Sequence, residues 1–342
     1  MSINFQVIET EQNWERIISY FPEANFLQSF YWGEFEKKLN KKVFRFALFK
    51  KNQPIIALQI IKETAKRGNY LTIAGGPLLD WEKQLTNHNF SQLINFLKTL
   101  AQKENCSFIR LRPQTLDTEE LRQQLKKYQL IPSPMHLTAD LTLQLDLTKS
   151  PTQLLQEMRK NTRYEIKQAE KKGITVIQTQ DSHKIKGFYQ HQLELANKHN
   201  FVPFSYEFLL AQFETFVEKN KVTLFSSYLE NKLLASAFII FYNQEAVYHY
   251  GISTEDNYKL PGAYACQWAA IQEAQKRGCK KYNFWGIAPK DEPQHRFAGV
   301  SLFKRGFGGE EVAYLPAHDL PVSTFYWATY FFESFRKKIR KL

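Results

Sequence analysis

The chain has 342 residues, a formal net charge of +12, 43% apolar residues and 23% charged residues. This length exceeds one ordinary hydrophobic core and the composition excludes a disordered chain, so we expect two globular domains. The positive charge favours an anionic partner, namely nucleic acid, a phosphorylated substrate or an anionic membrane, although a basic surface can also serve solubility alone.

Several features of the sequence indicate a cytoplasmic protein. No run of about 18 apolar residues occurs, so we expect no transmembrane helix, and the first residues lack the basic and apolar segments of a secretory signal. Cys106, Cys266 and Cys279 are odd in number and have no C-x-x-C spacing, which argues against a disulfide framework or a zinc site. We expect all three to be small buried side chains.

In chain order, the first half of the sequence predicts a β-hairpin, a helix and a buried strand. A strand, a polar turn and a second strand occupy residues 43–60. Apolar side chains recur at helical spacing over residues 93–100, and the helix is expected to end at Asn105. Residues 108–111 predict the buried strand.

The second half repeats this order. Residues 222–238 predict a hairpin, residues 265–274 predict a helix with Gly278 at its C-terminal cap, and residues 282–284 predict a strand. We infer a duplicated unit whose order is that of the GNAT acyltransferase fold. The expected fold class is α/β (α+β), with two tandem GNAT-like domains, each a mixed, mostly antiparallel sheet flanked by helices.

The loop before the second helix bears on the acyl donor. A GNAT that uses acyl-CoA cradles pyrophosphate on a Q/R-x-x-G-x-G/A loop at a helix N-terminus. Here the corresponding residues 259–264 retain Gly262, but Tyr264 replaces the last small residue and would crowd a diphosphate. The scaffold thus indicates acyl transfer, while the loop argues against acyl-CoA.

Between the repeats, residues 151–172 predict one long helix. Leu155, Met158, Ile166 and Ala169 share one side of it. The opposite side and its flank carry what we call the basic stripe: Arg159, Lys160, Arg163, Lys167 and Lys171. Few glutamates interrupt the stripe, so it is either a solvated helix face or a surface that binds tRNA or another phosphate.

Familiar motifs of nucleotide, metal or serine chemistry do not occur. The sequence has no P-loop, no H-E-x-x-H and no G-x-S-x-G. His191, Glu194 and His199 lie close together on a predicted helix, but histidines in such positions are more often plain surface or core residues. We therefore expect no metal and no cofactor.

Five short motifs occur in a fixed order along the chain. They occupy residues 26–35, 145–149, 158–169, 282–287 and 302–309. In this order they resemble the motifs of the FemABX family of peptidoglycan-bridge aminoacyltransferases. The absence of sustained heptads makes the chain similar to the compact FemX-like members, which have no coiled-coil arm.

The resemblance implies a domain organisation and a reaction. The first GNAT-like domain would comprise residues 1–145 with 316–342, and the second residues 146–315. The donor would be aminoacyl-tRNA, and the acceptor a stem-peptide amine of a peptidoglycan precursor, either lipid-linked or UDP-linked. We expect a cytoplasmic monomer, and a peripheral contact with the inner membrane surface if the acceptor is lipid-linked.

The resemblance also implies roles for individual residues. Phe303 and Lys304 match a Phe-Lys pair of the family and are assigned to catalysis. Lys304 would stabilise the oxyanion of the tetrahedral intermediate or a nearby phosphate, and Phe303 would stack on the terminal adenine of tRNA. An ester donor needs no ATP, and we assign no general base.

The acceptor side matches the family less well. Four side chains are assigned to substrate binding: Lys37, Lys38, Tyr206 and Tyr250. However, Glu36 stands where FemX-like enzymes have a lysine that binds a nucleotide-sugar diphosphate, and Arg112 stands where they have an aspartate. Phe204 and Phe208 replace an arginine and a tyrosine. These departures leave a lipid-linked acceptor open.

The C-terminal segment allows two interpretations. Aromatic residues crowd positions 325–335, and a basic cluster follows at 336–341. Aromatic rings beside cations suit the lipid headgroup zone, but the rings could equally pack onto the first domain, and both could hold.

Two other functions stay open. One is a non-catalytic tRNA- or RNA-binding protein that uses the basic stripe, and the other is an acyl-CoA N-acyltransferase of GNAT type. The first predicts nucleic-acid binding without turnover, and the second is disfavoured by the loop at residues 259–264.

Overall fold

The chain divides into two units, each built around one mixed β-sheet. The computed structural model describes residues 4–84, 88–199 and 201–340. One unit comprises the described residues up to Asp140 together with those from Ala313 onward, and the other comprises Leu141–Val312. Within the described residues, no helix is long and apolar enough to cross a membrane.

Within the described residues, the first unit begins with seven strands, five α-helices and one 3-10 helix, which form most of its sheet and its flanking helices. Its strands are β1 (Gln6–Val7), β2 (Lys42–Lys50), β3 (Gln53–Ala65), β4 (Gly68–Ala74), β5 (Leu78–Leu79), β6 (Cys106–Arg112) and β7 (Ile131–Pro132). Its helices are α1 (Glu11–Ile18), α2 (Phe30–Lys38), α3 (Trp81–Gln84), α4 (His88–Lys103) and α5 (Glu119–Lys127), with a 3-10 helix at Phe26–Gln28.

The second unit repeats the predicted hairpin, helix and strand. Its strands are β8 (Leu141–Asp146), β9 (Thr175–Thr179), β10 (Val222–Leu229), β11 (Lys232–Tyr242), β12 (Glu245–Ser253), β13 (Lys281–Gly286) and β14 (Glu310–Ala313). Its helices are α6 (Pro151–Glu157), α7 (Lys160–Lys171), α8 (Lys184–His199), α9 (Tyr206–Val217), α10 (Gly262–Lys276) and α11 (Ala298–Arg305), with a 3-10 helix at Glu255–Tyr258.

The chain then returns to the first sheet through β15 (His318–Pro321) and ends in α12 (Tyr326–Arg340). Strand order in the first sheet is β1-β2-β3-β4-β6-β15-β7, with β5 beside β3, and in the second it is β14-β8-β13-β12-β11-β10-β9. Most strand pairs in both sheets are antiparallel, whereas β4 with β6 and β12 with β13 are parallel. The expected tandem GNAT-like fold is confirmed.

Each sheet buries one apolar core. Leu97 on α4 and Ile109 on β6 belong to the first core, and Ile271 on α10 and Phe284 on β13 belong to the second. The three cysteines are buried, as expected. Asn105 and Gly278 both have positive φ values, 54° and 75°, directly after α4 and α10, so the predicted helix ends are confirmed.

The prediction of one helix over residues 151–172 is wrong. The backbone is extended at Met158 and Arg159, and this break separates α6 from α7. Met158 is buried in the second core, and the backbone N–H of Arg159 donates to the carbonyl of Gly306 at 2.9 Å. Arg163 Nη1 donates to the carbonyl oxygens of Gln156 and Met158, which the break leaves without helical partners.

An ion pair fixes the returning strand in the first sheet. Arg110 on β6 donates to both carboxylate oxygens of Asp319 on β15, at 2.8 and 2.9 Å, and both side chains are buried. Arg110 also contacts Glu333 on α12 at 2.7 Å. A bidentate pair of this kind orients both strands, and loss of Asp319 leaves the buried guanidinium with less compensation of its charge.

We expect Asp319→Asn to lower the free energy of unfolding by about 3 kcal/mol, because it leaves the buried Arg110 guanidinium short of a charged partner. Urea unfolding measures the loss. The matched control is Asp117→Asn, which breaks the half-exposed pair with Arg122 and should cost under about 1 kcal/mol. Equal losses in the two variants would contradict the assigned role of the buried pair.

Candidate active site

The candidate site lies where two neighbouring strands of the second sheet separate. β12 and β13 are parallel and paired over three residues of each strand, up to Val247 opposite Asn283. Just beyond, the register of β12 against β11 shifts around His249, and β13 turns at Trp285, whose φ is 62°. Both irregularities follow the last paired residues, so the strands diverge at this level of the sheet.

The first sheet shows no such divergence at the equivalent place. Its parallel strands β4 and β6 are paired to their ends, where Ala74 lies opposite Arg112. Gly76 continues the contact by an isolated bridge to the same arginine. The separation of the two parallel strands therefore occurs in the second sheet and not in the first.

Lys304 projects from α11 to this opening. Its Nζ donates a 2.7 Å hydrogen bond to the carbonyl of Gly286, the last residue of β13. The same atom lies 5.6 Å from the centre of the Tyr248 ring on β12, and the side chain is only 7% exposed. Burial away from water lowers the pKa of Lys304 from 10.5 to about 7, because it penalises the charged ammonium.

The basic stripe adjoins the helix that carries Lys304. Arg159 is joined to the end of α11 by its backbone bond to Gly306, and its Nη2 donates to the carbonyl of Leu302 at 3.3 Å. A side chain at Gly306 would collide with Thr162 on α7, since its Cβ would lie 2.4 Å from the threonine hydroxyl. The stripe and the candidate catalytic helix are thus in direct contact.

The residues of the stripe differ in exposure and in partners. Lys160, Lys167 and Lys171 are exposed on α7, whereas Arg163 is half-buried and bonds the carbonyl oxygens at the end of α6. Three cations of the stripe therefore face solvent on α7, whereas Arg163 stabilises the junction between α6 and α7.

Two glycines allow the chain to leave α11 close to the second sheet. Gly308 and Gly309 have φ values of 84° and 85°. A Cβ on Gly309 would lie 2.3 Å from the backbone oxygen of Gln144 on β8. The glycine cluster that follows Lys304 in the sequence is thus required by a tight turn against a strand.

Phe303 belongs to an aromatic cluster beside Lys304. Its ring centre lies 5.0 Å from that of Tyr264 and 5.3 Å from that of Phe307, both in edge-to-face geometry, and it is half-buried. Tyr264, the residue that replaces the small residue of an acyl-CoA loop, thus packs against the helix of Lys304. Adenine stacking by Phe303 stays a prediction.

Tyr250 lies in a second aromatic cluster, on the diverging part of β12. Its ring centre is 5.0 Å from that of Phe204, which in turn stacks on Phe208 at 4.8 Å. Of the two phenylalanines that depart from the family pattern, Phe204 therefore packs on the tyrosine that is kept, and Phe208 packs on Phe204. Tyr206 lies at the start of α9, with its ring 5.9 Å from that of Tyr189.

Sequence reasoning missed His249 at the opening and gave no role to Trp285, although Trp285 lies within the motif at residues 282–287. Their ring centres are 5.8 Å apart, and burial lowers the pKa of His249 from 6.5 to about 3, so this imidazole is neutral. No motif distinguishes a histidine within a strand. The positive φ of Trp285, unusual for a bulky residue, depends on tertiary packing that the sequence does not display.

Lys37 and Lys38 lie in the other unit, on the last turn of α2. Both are exposed, and Lys37 pairs with Glu34 at 2.9 Å. Glu36, which stands at the family's lysine position, is buried and pairs with Lys41 at 2.9 Å. Burial, the largest cause, raises the pKa of Glu36. The carboxylate of Glu36 is therefore occupied by its ion pair with Lys41.

The predicted histidine helix offers little for metal binding. His191 Nδ1 contacts Glu194 at 2.9 Å, and the side chain of His199 lies outside the described residues. Throughout residues 4–84, 88–199 and 201–340, no three His, Cys, Asp or Glu side chains are grouped to hold a metal ion.

Solved structures of other proteins have a similar fold. A crystal structure of FemX superposes with a TM-score of 0.84, over 97% of this chain and 100% of that one, at 15% sequence identity. A tandem GNAT protein from the clavulanic acid biosynthesis pathway gives a TM-score of 0.56 over 94% and 99% of the two chains, at 7% identity. At such low identities the likeness concerns the fold alone.

Sequence comparison is more specific. The aminoacyltransferase FemA of Staphylococcus aureus is 33% identical over 101 residues, which are 29% of this chain and 24% of FemA. The matched region thus spans about a quarter of the length of this relative. The model of the FemAB family matches residues 10–232 and 218–334. Because these two matches cover most of its length, the chain belongs to the FemAB family.

Proposed function

We propose that this protein is an aminoacyltransferase, which moves an amino acid from aminoacyl-tRNA to the stem-peptide amine of a peptidoglycan precursor. The observation that carries the proposal is the buried Lys304 at the divergence of β12 and β13, with its lowered pKa. FemA, a relative by sequence, is named an aminoacyltransferase. The cytoplasm, where aminoacyl-tRNA is made, is the proposed location.

The geometry suits acyl transfer from an ester. One hydrogen of the Lys304 ammonium is fixed by the Gly286 carbonyl, which leaves two donors to point into the opening. A cation held in a poorly hydrated site stabilises a tetrahedral oxyanion more strongly than it would in water. Since the pKa is about 7, the same group can also give up and regain a proton near neutral pH.

These properties define the proposed reaction. The neutral acceptor amine attacks the ester carbonyl, so a C–N bond forms and the carbonyl oxygen becomes an oxyanion beside Lys304. The C–O bond to the tRNA 3′ oxygen then breaks, and Lys304 protonates that oxygen. The proton lost by the new amide nitrogen returns to Lys304, which restores its starting charge.

The donor is proposed to be tRNA because the basic stripe adjoins the helix of Lys304. Lys160, Lys167 and Lys171 form a single-sign exposed face on α7, and phosphate backbones bind to such faces. The contacts of Arg159 with Leu302 and Gly306 connect this face to α11. A tRNA backbone on α7 would bring its 3′ end toward the opening.

An acyl-CoA donor is less suitable for this site. The backbone N–H of Ala263, at the start of α10, donates to the Asn257 side chain at 2.9 Å, and that of Gly262 bonds the Leu260 carbonyl. A pyrophosphate at this helix N-terminus would need such backbone N–H groups as donors, and these two already donate within the protein. Tyr264 fills the neighbouring position by packing on Phe303.

The acceptor is proposed to be a muropeptide, and the lipid-linked form is favoured over the UDP-linked form. Glu36 is engaged with Lys41, so the position of the family's diphosphate-binding lysine offers no cation here. Lys37 and Lys38 remain exposed on α2 as candidate phosphate contacts. A lipid-linked acceptor would bring the enzyme into peripheral contact with a membrane surface.

We expect Lys304→Ala to reduce transfer by about 10²-fold or more, because removal of one donor to the oxyanion typically costs that much. Transfer is measured with radiolabelled aminoacyl-tRNA and with both lipid-linked and UDP-linked muropeptides. Lys290→Ala, which removes an exposed lysine of the same unit, is the control and should retain activity. A Lys304→Ala enzyme with wild-type turnover would remove Lys304 from the mechanism. A protein that binds tRNA but never transfers would favour the RNA-binding alternative.

We expect Lys160→Gln, Lys167→Gln and Lys171→Gln together to weaken tRNA binding and to flatten its salt dependence, because fewer counterions are released. Arg163 is left intact because it bonds the end of α6. The control replaces three other exposed lysines of the same unit by glutamine: Lys184, Lys186 and Lys280. If both triple variants show the wild-type salt slope, the basic stripe is only a solvated face.

A further inference from the structure

The last helix of the chain is attached to its unit by polar groups. Tyr326 is fully buried, and its hydroxyl donates to Asp319 at 3.1 Å. Glu333, about two turns further on, accepts from Arg110 at 2.7 Å. The side of α12 that faces the protein thus contains the only carboxylate of the helix and a buried tyrosine.

The opposite side of α12 is apolar and exposed. Phe331, Phe335 and Ile339 are spaced four residues apart, which places them in one row along the helix, and they are 66%, 64% and 65% exposed. Three further large apolar side chains are exposed in the same segment: Phe325, Trp327 and Phe332. Five of the seven aromatic residues at positions 325–335 are therefore exposed, and Tyr326 is fully buried.

This arrangement reverses the usual amphipathic helix, whose apolar row faces the core. The ion pair and the tyrosine hydroxyl attach α12 to the sheet, and the apolar row lies on the side of the helix away from these contacts. A contiguous exposed patch of this kind marks a binding surface.

Cations lie beside the apolar row. Arg336, Lys337 and Lys338 stand between Phe335 and Ile339, the first two half-buried and Lys338 exposed, and the guanidinium of Arg67 lies 3.8 Å from the centre of the Phe332 ring. Arg67 and the exposed Lys66 lie in the turn between β3 and β4. Lys341, part of the basic cluster in the sequence, lies outside the described residues.

We propose that the apolar row of α12 and the cations beside it form a membrane-docking surface, whose occupant is an anionic lipid bilayer. Aromatic side chains enter the headgroup zone while lysine and arginine bind anionic headgroups. The charge pattern favours this occupant over a second copy of the chain, because a second copy would bring the same cations together. The proposal concerns a partner and is independent of the transfer reaction.

Vesicle flotation tests the proposal with the full-length protein. Wild type should bind vesicles of phosphatidylglycerol and phosphatidylcholine at least tenfold more tightly than vesicles of phosphatidylcholine alone. Phe331→Gln with Phe335→Gln should lower binding to the anionic vesicles at least tenfold. The matched control is Tyr20→Gln with Leu116→Gln, which removes two side chains of similar exposure, 61% and 60%, elsewhere in the unit and should bind as wild type does.

Three outcomes would overturn the proposal. The first is a wild-type protein that does not float with anionic vesicles, and the second is a Phe331/Phe335 variant that floats as wild type does. The third is a wild-type protein that forms a dimer, when the Phe331/Phe335 substitutions dissociate that dimer but leave vesicle binding unchanged. Transfer to a water-soluble muropeptide should be unchanged in the Phe331/Phe335 variant. That measurement separates a failure of membrane docking from a failure of the proposed catalytic function.

Discussion

The hydrogen bond from Lys304 Nζ to the Gly286 carbonyl is the contact on which the candidate site depends. It joins α11 to the end of β13 at the level where β13 leaves β12. An ammonium group needs such an acceptor when it is buried, and the poorly hydrated surroundings still lower its pKa. The turn at Gly308 and Gly309 and the contact of α11 with Arg159 hold the same helix in place.

The two duplicated units share one scaffold but differ where their parallel strands end. In the first, β4 and β6 stay paired to their ends, and the returning strand β15 completes the sheet through the Arg110–Asp319 pair. In the second, the irregular backbone at His249 and Trp285 opens the equivalent pair of strands. A duplicated fold can thus use one copy for chemistry and the other for support or binding.

The sequence predicted those elements that local patterns determine. The hairpins follow from strand-like runs around polar turns, and the ends of α4 and α10 follow from Asn105 and Gly278, which adopt left-handed conformations readily. The break at Met158 was missed because it depends on Gly306, distant in sequence. The burial of Lys304 and the position of His249 were missed because both result from packing between elements. Phe303 and Lys304 were identified through family resemblance alone.

NMR of the lysine side chains can establish whether Lys304 is buried with a pKa near 7. Protein labelled with 13C at lysine Cε would be titrated from pH 5 to pH 11, within its stable range, with the resonance of Lys304 assigned by its loss in Lys304→Met. We expect this resonance to titrate near pH 7, well below the ordinary pKa of lysine, about 10.4. Titration of Lys304 with the exposed lysines, near pH 10, would contradict it.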